Sequence, residues 1–233
     1  MKKQDEPLAA LPDPVVRTVL ARLHADADRE APKLVWRFAS QALRLLLGHK
    51  LPWDRLESRL DDVAIPVDRN QGAFCYLVAR ALGAKRIVEF GTSYGISTIY
   101  LACAVRDNGG GRVIGTERVP SKASRARDHL REAGLERYVE IREGDALETL
   151  RDLEGPIDFM LNDGFPPYAL PVLELVSPHL RHRAVVVADN VGAFKADHAA
   201  YLAYVRDTAN GFCSGLLKMN EGTELSVRLA CPS

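Results

Sequence analysis

The sequence predicts an α/β protein with a doubly wound, mostly parallel sheet, an antiparallel C-terminal edge and an N-terminal helical extension. Three observations lead there. From about residue 65 onward short β-branched runs alternate with helical stretches; before about residue 60 the apolar residues recur at helical spacing; and the last two extended runs share a short joint. Strands alternating with helices call for a parallel sheet covered on both faces, which receives ligands at the carboxyl ends of its strands.

In the extension, residues 1–64, the helical spacing shows at Val16, Val19, Leu20 and Leu23, then at Leu34, Phe38, Leu43, Leu46 and Leu47. Pro32 and Pro52 punctuate it, so two or three helices are expected. The Leu43 to Leu47 face should pack on a core, with a partner subunit or a substrate as the alternatives. In the main domain, residues 65–233, strands are read at 87–90, 112–116, 139–142, 157–161 and 184–188. Helices are read between them at 95–105, 121–133, 147–153 and 170–180. A helix near 199–208 follows, then strands at 215–218 and 224–229 joined as a hairpin through 220–223. A chain of 233 residues can bury one sizeable core, which favours a single α/β domain with an appended arm.

Charge and cysteine usage narrow the function classes. The 31 basic and 31 acidic residues balance, which argues against a basic stripe for a nucleic-acid backbone. Cys75, Cys103, Cys213 and Cys231 lack paired metal spacing and read as reduced, mostly buried thiols. No apolar stretch has signal-peptide form or spans a bilayer, so a cytoplasmic location with no membrane partner is expected.

The segment Val88-Glu89-Phe90-Gly91-Thr92-Ser93-Tyr94-Gly95-Ile96-Ser97-Thr98 reads as strand, glycine turn and helix start. Gly91 and Gly95 permit a tight turn and close backbone approach to a ligand, with Ser97 or Thr98 near the first helical turn. The spacing is not that of a dinucleotide fingerprint, whose pyrophosphate rests on a helix N-terminus. Glu117 ends the next strand, where a carboxylate can accept from both ribose hydroxyls or simply be solvated. Gly144-Asp145-Ala146 follows the third strand and would lie near an adenine edge.

Three strand ends in succession carry the pattern, and with them the chain resembles the class I methyltransferases with their Rossmann-like sheet. More narrowly, it is similar to the cation-dependent O-methyltransferases acting on catechols and caffeoyl-CoA. The matching stretches include Val88 to Gly91, Thr116-Glu117, Gly144 to Ala146, Asp158 to Asp163, Val187-Ala188-Asp189-Asn190 and Tyr201 to Arg206. The resemblance implies S-adenosylmethionine held by Gly91, Glu117 and Asp145, with Ile65 to Val67 and Gly72 near its methionine end. Glu89, Ser93, Gly95, Ser97, Arg118, Ala146 and Asp163 complete the expected cofactor set.

Asp163 and the pair Asp189-Asn190 follow two strands that can be neighbours, so two carboxylates and an amide oxygen could meet at one hard cation. Such donors suit Mg²⁺, Ca²⁺ or Mn²⁺, and the resemblance places a cation there; strand-end aspartates also serve as helix caps. Glu224 matches a carboxylate that orients the second hydroxyl of the substrate, although a cross-strand charge pair would equally account for it. Catechol-type members carry a lysine base three positions after the first metal aspartate, where this chain has Pro166. Either the cation alone acidifies a hydroxylated small-molecule acceptor, or Lys195 or His198 replaces the base. Phe165 and Tyr168, on a stiff apolar loop, are candidates for gripping a phenolic ring, and Trp36 and Trp53 are lid or core residues. Two further readings stay open: a tRNA hydroxyuridine methyltransferase, suggested by Arg125, Arg127, Arg131 and the Arg181-His182-Arg183 cluster, and a non-catalytic cofactor-binding partner. The helical arm makes a homodimer a further expectation.

Overall fold

The first described helix, α1 (Pro14–Ala39), is opened by Asp13, whose carboxylate accepts from the amides of Val15 and Val16 at 2.8 and 3.3 Å, with Pro14 in the first turn. The computed structural model describes residues 3–63 and 66–230, leaving out the side chains of residues 3–5, 34, 37 and 45, so the readings placed on the side chain of Leu34 and on Ile65 and Cys231 lie outside the described residues. The sequence places a break at Pro32, yet α1 runs through it. Proline lacks the N–H that would bond the carbonyl of Asp28, so the helix loses one rung and continues. Val16, Val19, Leu20 and Leu23 are buried in the main core.

The Leu43 to Leu47 face departs from the expected core packing. Leu43, Leu46 and Leu47 are 68, 84 and 62% exposed, and Val35 and Trp36 of α1 are largely exposed as well. The chain turns at Ser40, and the short α2 (Ala42–Leu46) is too brief to bring this face back onto the core. After α3 (Trp53–Leu56) comes α4 (Arg69–Ala81), which the sequence reading does not assign. Asp68 caps it through the amide of Asn70, and it buries Ala73, Cys75, Tyr76 and Ala79.

The sheet has seven strands among the described residues: β1 (Arg86–Phe90), β2 (Arg112–Glu117), β3 (Val139–Glu143), β4 (Ile157–Asn162), β5 (Leu180–Ala188), β6 (Phe212–Leu217) and β7 (Thr223–Arg228). Their order is β3-β2-β1-β4-β5-β7-β6; the first five are mutually parallel, and β7 is antiparallel to both β5 and β6. The helices α5 (Ile96–Asp107), α6 (Pro120–Glu132), α7 (Ala146–Thr149), α8 (Ala169–Val176) and α9 (Ala199–Arg206) complete the two outer layers.

Strand alternation divides the core. Ile87 joins the cluster built on α1, α4 and α5, whereas Val88 joins that of α8 and α9. Both are fully buried, a contribution of about 1.5–3 kcal/mol each. The ends of α8 and β5 differ from the expected 180 and 184 because Pro178 stops the helix and the strand starts at Leu180.

The functional consequence lies in the register. Phe90 pairs with Asn162, and Asn162 with Ala188, so Gly91, Asp163 and Asp189 leave three adjacent strands at the same level. The strand order reverses at β1, between β2 and β4, where an open α/β sheet forms its ligand crevice.

Candidate active site

A cleft of about 980 Å³ opens over these strand ends, bordered on the far side by the second half of α1 and by Trp53. Gly91 has φ +98°, and a Cβ there would lie 2.5 Å from the Asp163 carbonyl oxygen, so only glycine lets these strand ends close up. The amide of Asp163 donates to the Phe90 carbonyl at 2.9 Å. Glu117 accepts from the amides of Ser93 and Val119, both at 2.8 Å, one on each carboxylate oxygen. Each oxygen keeps capacity to accept from a further hydroxyl. The Ser93 hydroxyl, in the cleft wall, is buried without a partner.

Val67, Arg118, Asp145 and Ala146 also line the cleft; Asp145 caps α7 through the Leu147 amide at 2.9 Å. A close backbone cradle, a paired acceptor and an orphaned hydroxyl fit an adenosyl ligand carrying ribose hydroxyls and no phosphate.

Four members of the expected cofactor set stand behind the cleft wall. Glu89 is fully buried and accepts from the hydroxyls of Thr92 and Thr98 at 2.8 and 2.5 Å, which pins the glycine turn to α5. Its burial pushes its pKa up. Gly72 is covered by the Tyr100 ring, 2.4 Å from where a Cβ would stand, so it permits helix packing. Gly95, at φ +82°, starts α5 against Ala126, and Ser97 is buried in the first turn.

Asp163, Asp189 and Asn190 all border the cleft. Burial first, and then the Asp189 carboxylate beside it, raise the Asp163 pKa well above the usual range; burial raises that of Asp189 to about 6. Among the described residues no cationic side chain makes an ion pair with either. Asp189 is oriented by the Asn190 amide at 2.7 Å and by the Asn220 side chain at 3.2 and 3.3 Å. No group of three or more His, Cys, Asp or Glu clusters for a metal among the described residues, so a cation here would rest on two carboxylates supplemented by amide oxygens. That all-oxygen donor set, two buried carboxylates whose ionised forms are disfavoured for want of a counter-ion, fits a hard divalent cation.

Beyond this pair the wall is aromatic. Trp53 stands with its ring centroid 5.5 Å from Phe165 and 5.2 Å from Phe194, and Phe38 is 6.4 Å from Trp53. Phe165 and Tyr168 line the cleft as the loop composition suggests. The sequence reading missed Phe38, Phe194 and Asn220: helical periodicity at Phe38 marks an apolar face without telling what it faces, and Phe194 and Asn220 sit in loops.

The two candidate bases separate. Lys195 is exposed and outside the cleft wall, whereas His198 is buried in it, with Nδ1 3.2 Å from the Phe194 carbonyl and its pKa lowered by burial. Glu224 is fully buried outside the cleft wall, where Arg206 grips both its oxygens at 2.8 and 2.7 Å and Ser214 adds a third bond at 2.8 Å. Its partner comes from α9, so neither substrate orientation nor a simple cross-strand pair describes it; Glu221 borders the cleft instead. Cys75 and Cys103 are buried as expected, and Cys213 is exposed. Arg127 pairs with Glu143, Arg131 with Asp128 and Glu136, and Arg181 with Asp158. Among the described residues no helix is long and apolar enough to cross a membrane.

The known proteins that the chain resembles are methyltransferases. A family model described as a methyltransferase domain matches residues 88–191. Catechol O-methyltransferase of Niastella koreensis is 38% identical over 132 residues, 55% of this chain and 59% of that protein. The chain thus spans somewhat more than half the length of the curated relatives it matches. Among solved structures, an O-methyltransferase from Bacillus cereus in complex with SAH superposes with TM-score 0.66 at 25% identity, covering 75% of this chain and 87% of that one. The O-methyltransferase TomG from Streptomyces achromogenes, in complex with SAM, gives TM-score 0.64 at 26% identity over 74% of this chain and 86% of that one.

Proposed function

We propose that the chain carries a class I S-adenosylmethionine-dependent methyltransferase domain and methylates a hydroxyl of a small phenolic, catechol-like acceptor with the help of a divalent cation. The observation that carries this reading is the pair of buried carboxylates, Asp163 and Asp189, side by side at adjacent strand ends without a cationic partner. When bound, the sulfonium supplies the methyl group and a cation such as Mg²⁺ lowers the pKa of the acceptor hydroxyl and fixes its direction.

The residues of the chain supply the rest. Glu117 and the Ser93 turn hold the ribose side, and the Gly91 cradle brings the backbone close to the reacting end. Asp163, Asp189 and the amide oxygen of Asn190 hold the cation, with Asn220 keeping Asp189 in place. Phe38, Trp53, Phe165 and Phe194 exclude water and offer ring faces to a planar acceptor. His198, neutral at pH 7 because burial lowers its pKa, is the remaining candidate to receive the acceptor's proton should the cation not suffice. The pairing of Arg127, Arg131 and Arg181 supports a small molecule over an RNA acceptor.

The test is transfer of a labelled methyl group to catechol with Mg²⁺ and after exhaustive chelation. Turnover should vanish on chelation and return with Mg²⁺, and Asp189→Ala should lower it by at least about 100-fold, as for loss of one major electrostatic group. A rate indifferent to chelator would refute the cation. Loss of turnover in His198→Gln with cofactor affinity intact would assign the base to His198.

A further inference from the structure

We propose that residues 53–61 of the N-terminal extension form a strap along the nucleoside end of the cleft, latched by Lys122 and Arg118, and that the cofactor enters and leaves only while the latches are open. The proposal rests on the S-adenosylmethionine reading of the cleft and gives the extension a part in it.

The strap consists of α3 and the 3₁₀ turn Glu57–Leu60 that continues it, ending at Asp61. The Lys122 ammonium, in the first turn of α6, donates to the Leu60 carbonyl at 2.9 Å across 62 residues of sequence, and the lysine is only 6% exposed. One residue farther along the strap, Asp61 accepts from Nη2 of Arg118 at 2.8 Å. Glu57 stands against Tyr168, whose pKa is raised by burial first and then by that carboxylate. Both sides of each contact line the cleft, so the extension and the loops after β2 and β4 meet along its margin.

Arg118 and Lys122 follow Glu117, which marks the ribose side, so the latches sit where the nucleoside passes. The strap can part from them without disturbing the sheet. Among the described residues it pairs with no strand, and Leu51, Trp53 and Leu56 form a small apolar cluster of their own, separate from the two that pack the sheet. The Arg118–Asp61 pair, with side chains 49 and 38% exposed, holds weakly. The bond from Lys122 is charge-assisted and shielded from water, and it keeps the segment shut. A latch that has to open for passage in either direction slows entry and release by like factors and leaves affinity almost unaltered, which a fixed wall cannot do.

The test is a comparison of binding rates in the full chain. Release is read by chasing bound radiolabelled S-adenosylhomocysteine with excess unlabelled ligand, Kd by calorimetric titration, and the entry rate is the release rate divided by Kd. Lys122→Met keeps the apolar stem and removes the latch; it should speed both entry and release at least about tenfold, the factor for loss of one charge-assisted bond, with Kd within about threefold of wild type. Asp61→Asn, at a half-exposed position, should speed both by about two- to fivefold, as for loss of a surface ion pair. An unchanged release rate in folded Lys122→Met would overturn the proposal. So would release and Kd rising together at a constant entry rate in either variant, the mark of a wall that only touches the ligand. Failure of the wild type to bind S-adenosylhomocysteine would instead refute the cofactor reading itself.

Discussion

Replacing Gly91 by alanine should damage both stability and cofactor affinity, and the structure sets the scale. At φ +98° an alanine is strained by about 1–3 kcal/mol. Its Cβ would also stand 2.5, 2.8 and 2.9 Å from the Asp163 carbonyl oxygen, the Asp163 carbonyl carbon and the Gly164 Cα, all backbone atoms that cannot swing aside. Overpacking of this kind costs a further ~1–3 kcal/mol, so the sum is about 2–6 kcal/mol. In a chain of this length each kcal/mol lowers the melting temperature by about 2–4 °C, so a fall on the order of 10 °C is expected. Gly134→Ala is the control: φ is +67°, but nothing lies within 4 Å of the added Cβ, leaving only the left-handed backbone penalty of about 1–2 kcal/mol. Thermal melts of the two variants, followed by titration with S-adenosylhomocysteine, isolate the steric part. If Gly91→Ala melted within about 2 °C of Gly134→Ala and bound the ligand as wild type does, the close approach of β1 and β4 would not be what requires glycine.

Further expectations test the other assignments. Glu117→Gln removes the charge from an acceptor that holds two backbone amides, and should weaken S-adenosylhomocysteine about 10- to 100-fold, corresponding to ~1.5–3 kcal/mol for bonds to a charged group. Arg206→Met strands the fully buried Glu224; because the guanidinium is itself 46% exposed, a loss of about 2–3 kcal/mol, below the range for buried pairs, is expected in denaturant melts. Cofactor affinity should not change in that variant, and an acceptor-specific rise in KM at unchanged stability would restore Glu224 to the substrate. His198 contributes a pH dependence. Burial holds its pKa below the ordinary 6.5, so as pH falls through 6.5 the unfolded chain gains its proton first. Stability is then lost between pH 6.5 and the lower folded pKa, and a urea midpoint in His198→Gln that declined as steeply as wild type over that interval would contradict the assignment.

Much of the sheet was legible because its strands are short β-branched runs with abrupt ends. At those ends the chemistry was also legible: Glu117 ends a strand and Gly91, Asp163 and Asp189 each follow one directly, so finding the strand located the side chain. What lay one layer away was not. Glu89, Ser97 and Gly95 belong to the same motif as Gly91, but side chains alternate faces along a strand and wind around a helix, so motif membership says nothing of which side meets the cleft. Glu224 was misplaced because its partner, Arg206, is 18 residues distant and lies on a helix. The aromatic wall was hidden for a related reason: Phe38, Trp53, Phe165 and Phe194 come from four separate segments, and only the tertiary fold gathers them. Pro32 misled because loss of one hydrogen bond is affordable in a helix of 26 residues.

The run of α1 through Pro32 gives one rod two duties. Its first half, through Leu23, is cemented into the core, while Ala27, Asp28, Ala31, Val35 and Phe38 farther along line the cleft. Alterations near its start should therefore be felt as unfolding, and alterations near its end as a change in which molecules are admitted. Acceptor preference can drift along the distal turns without disturbing the scaffold that carries them.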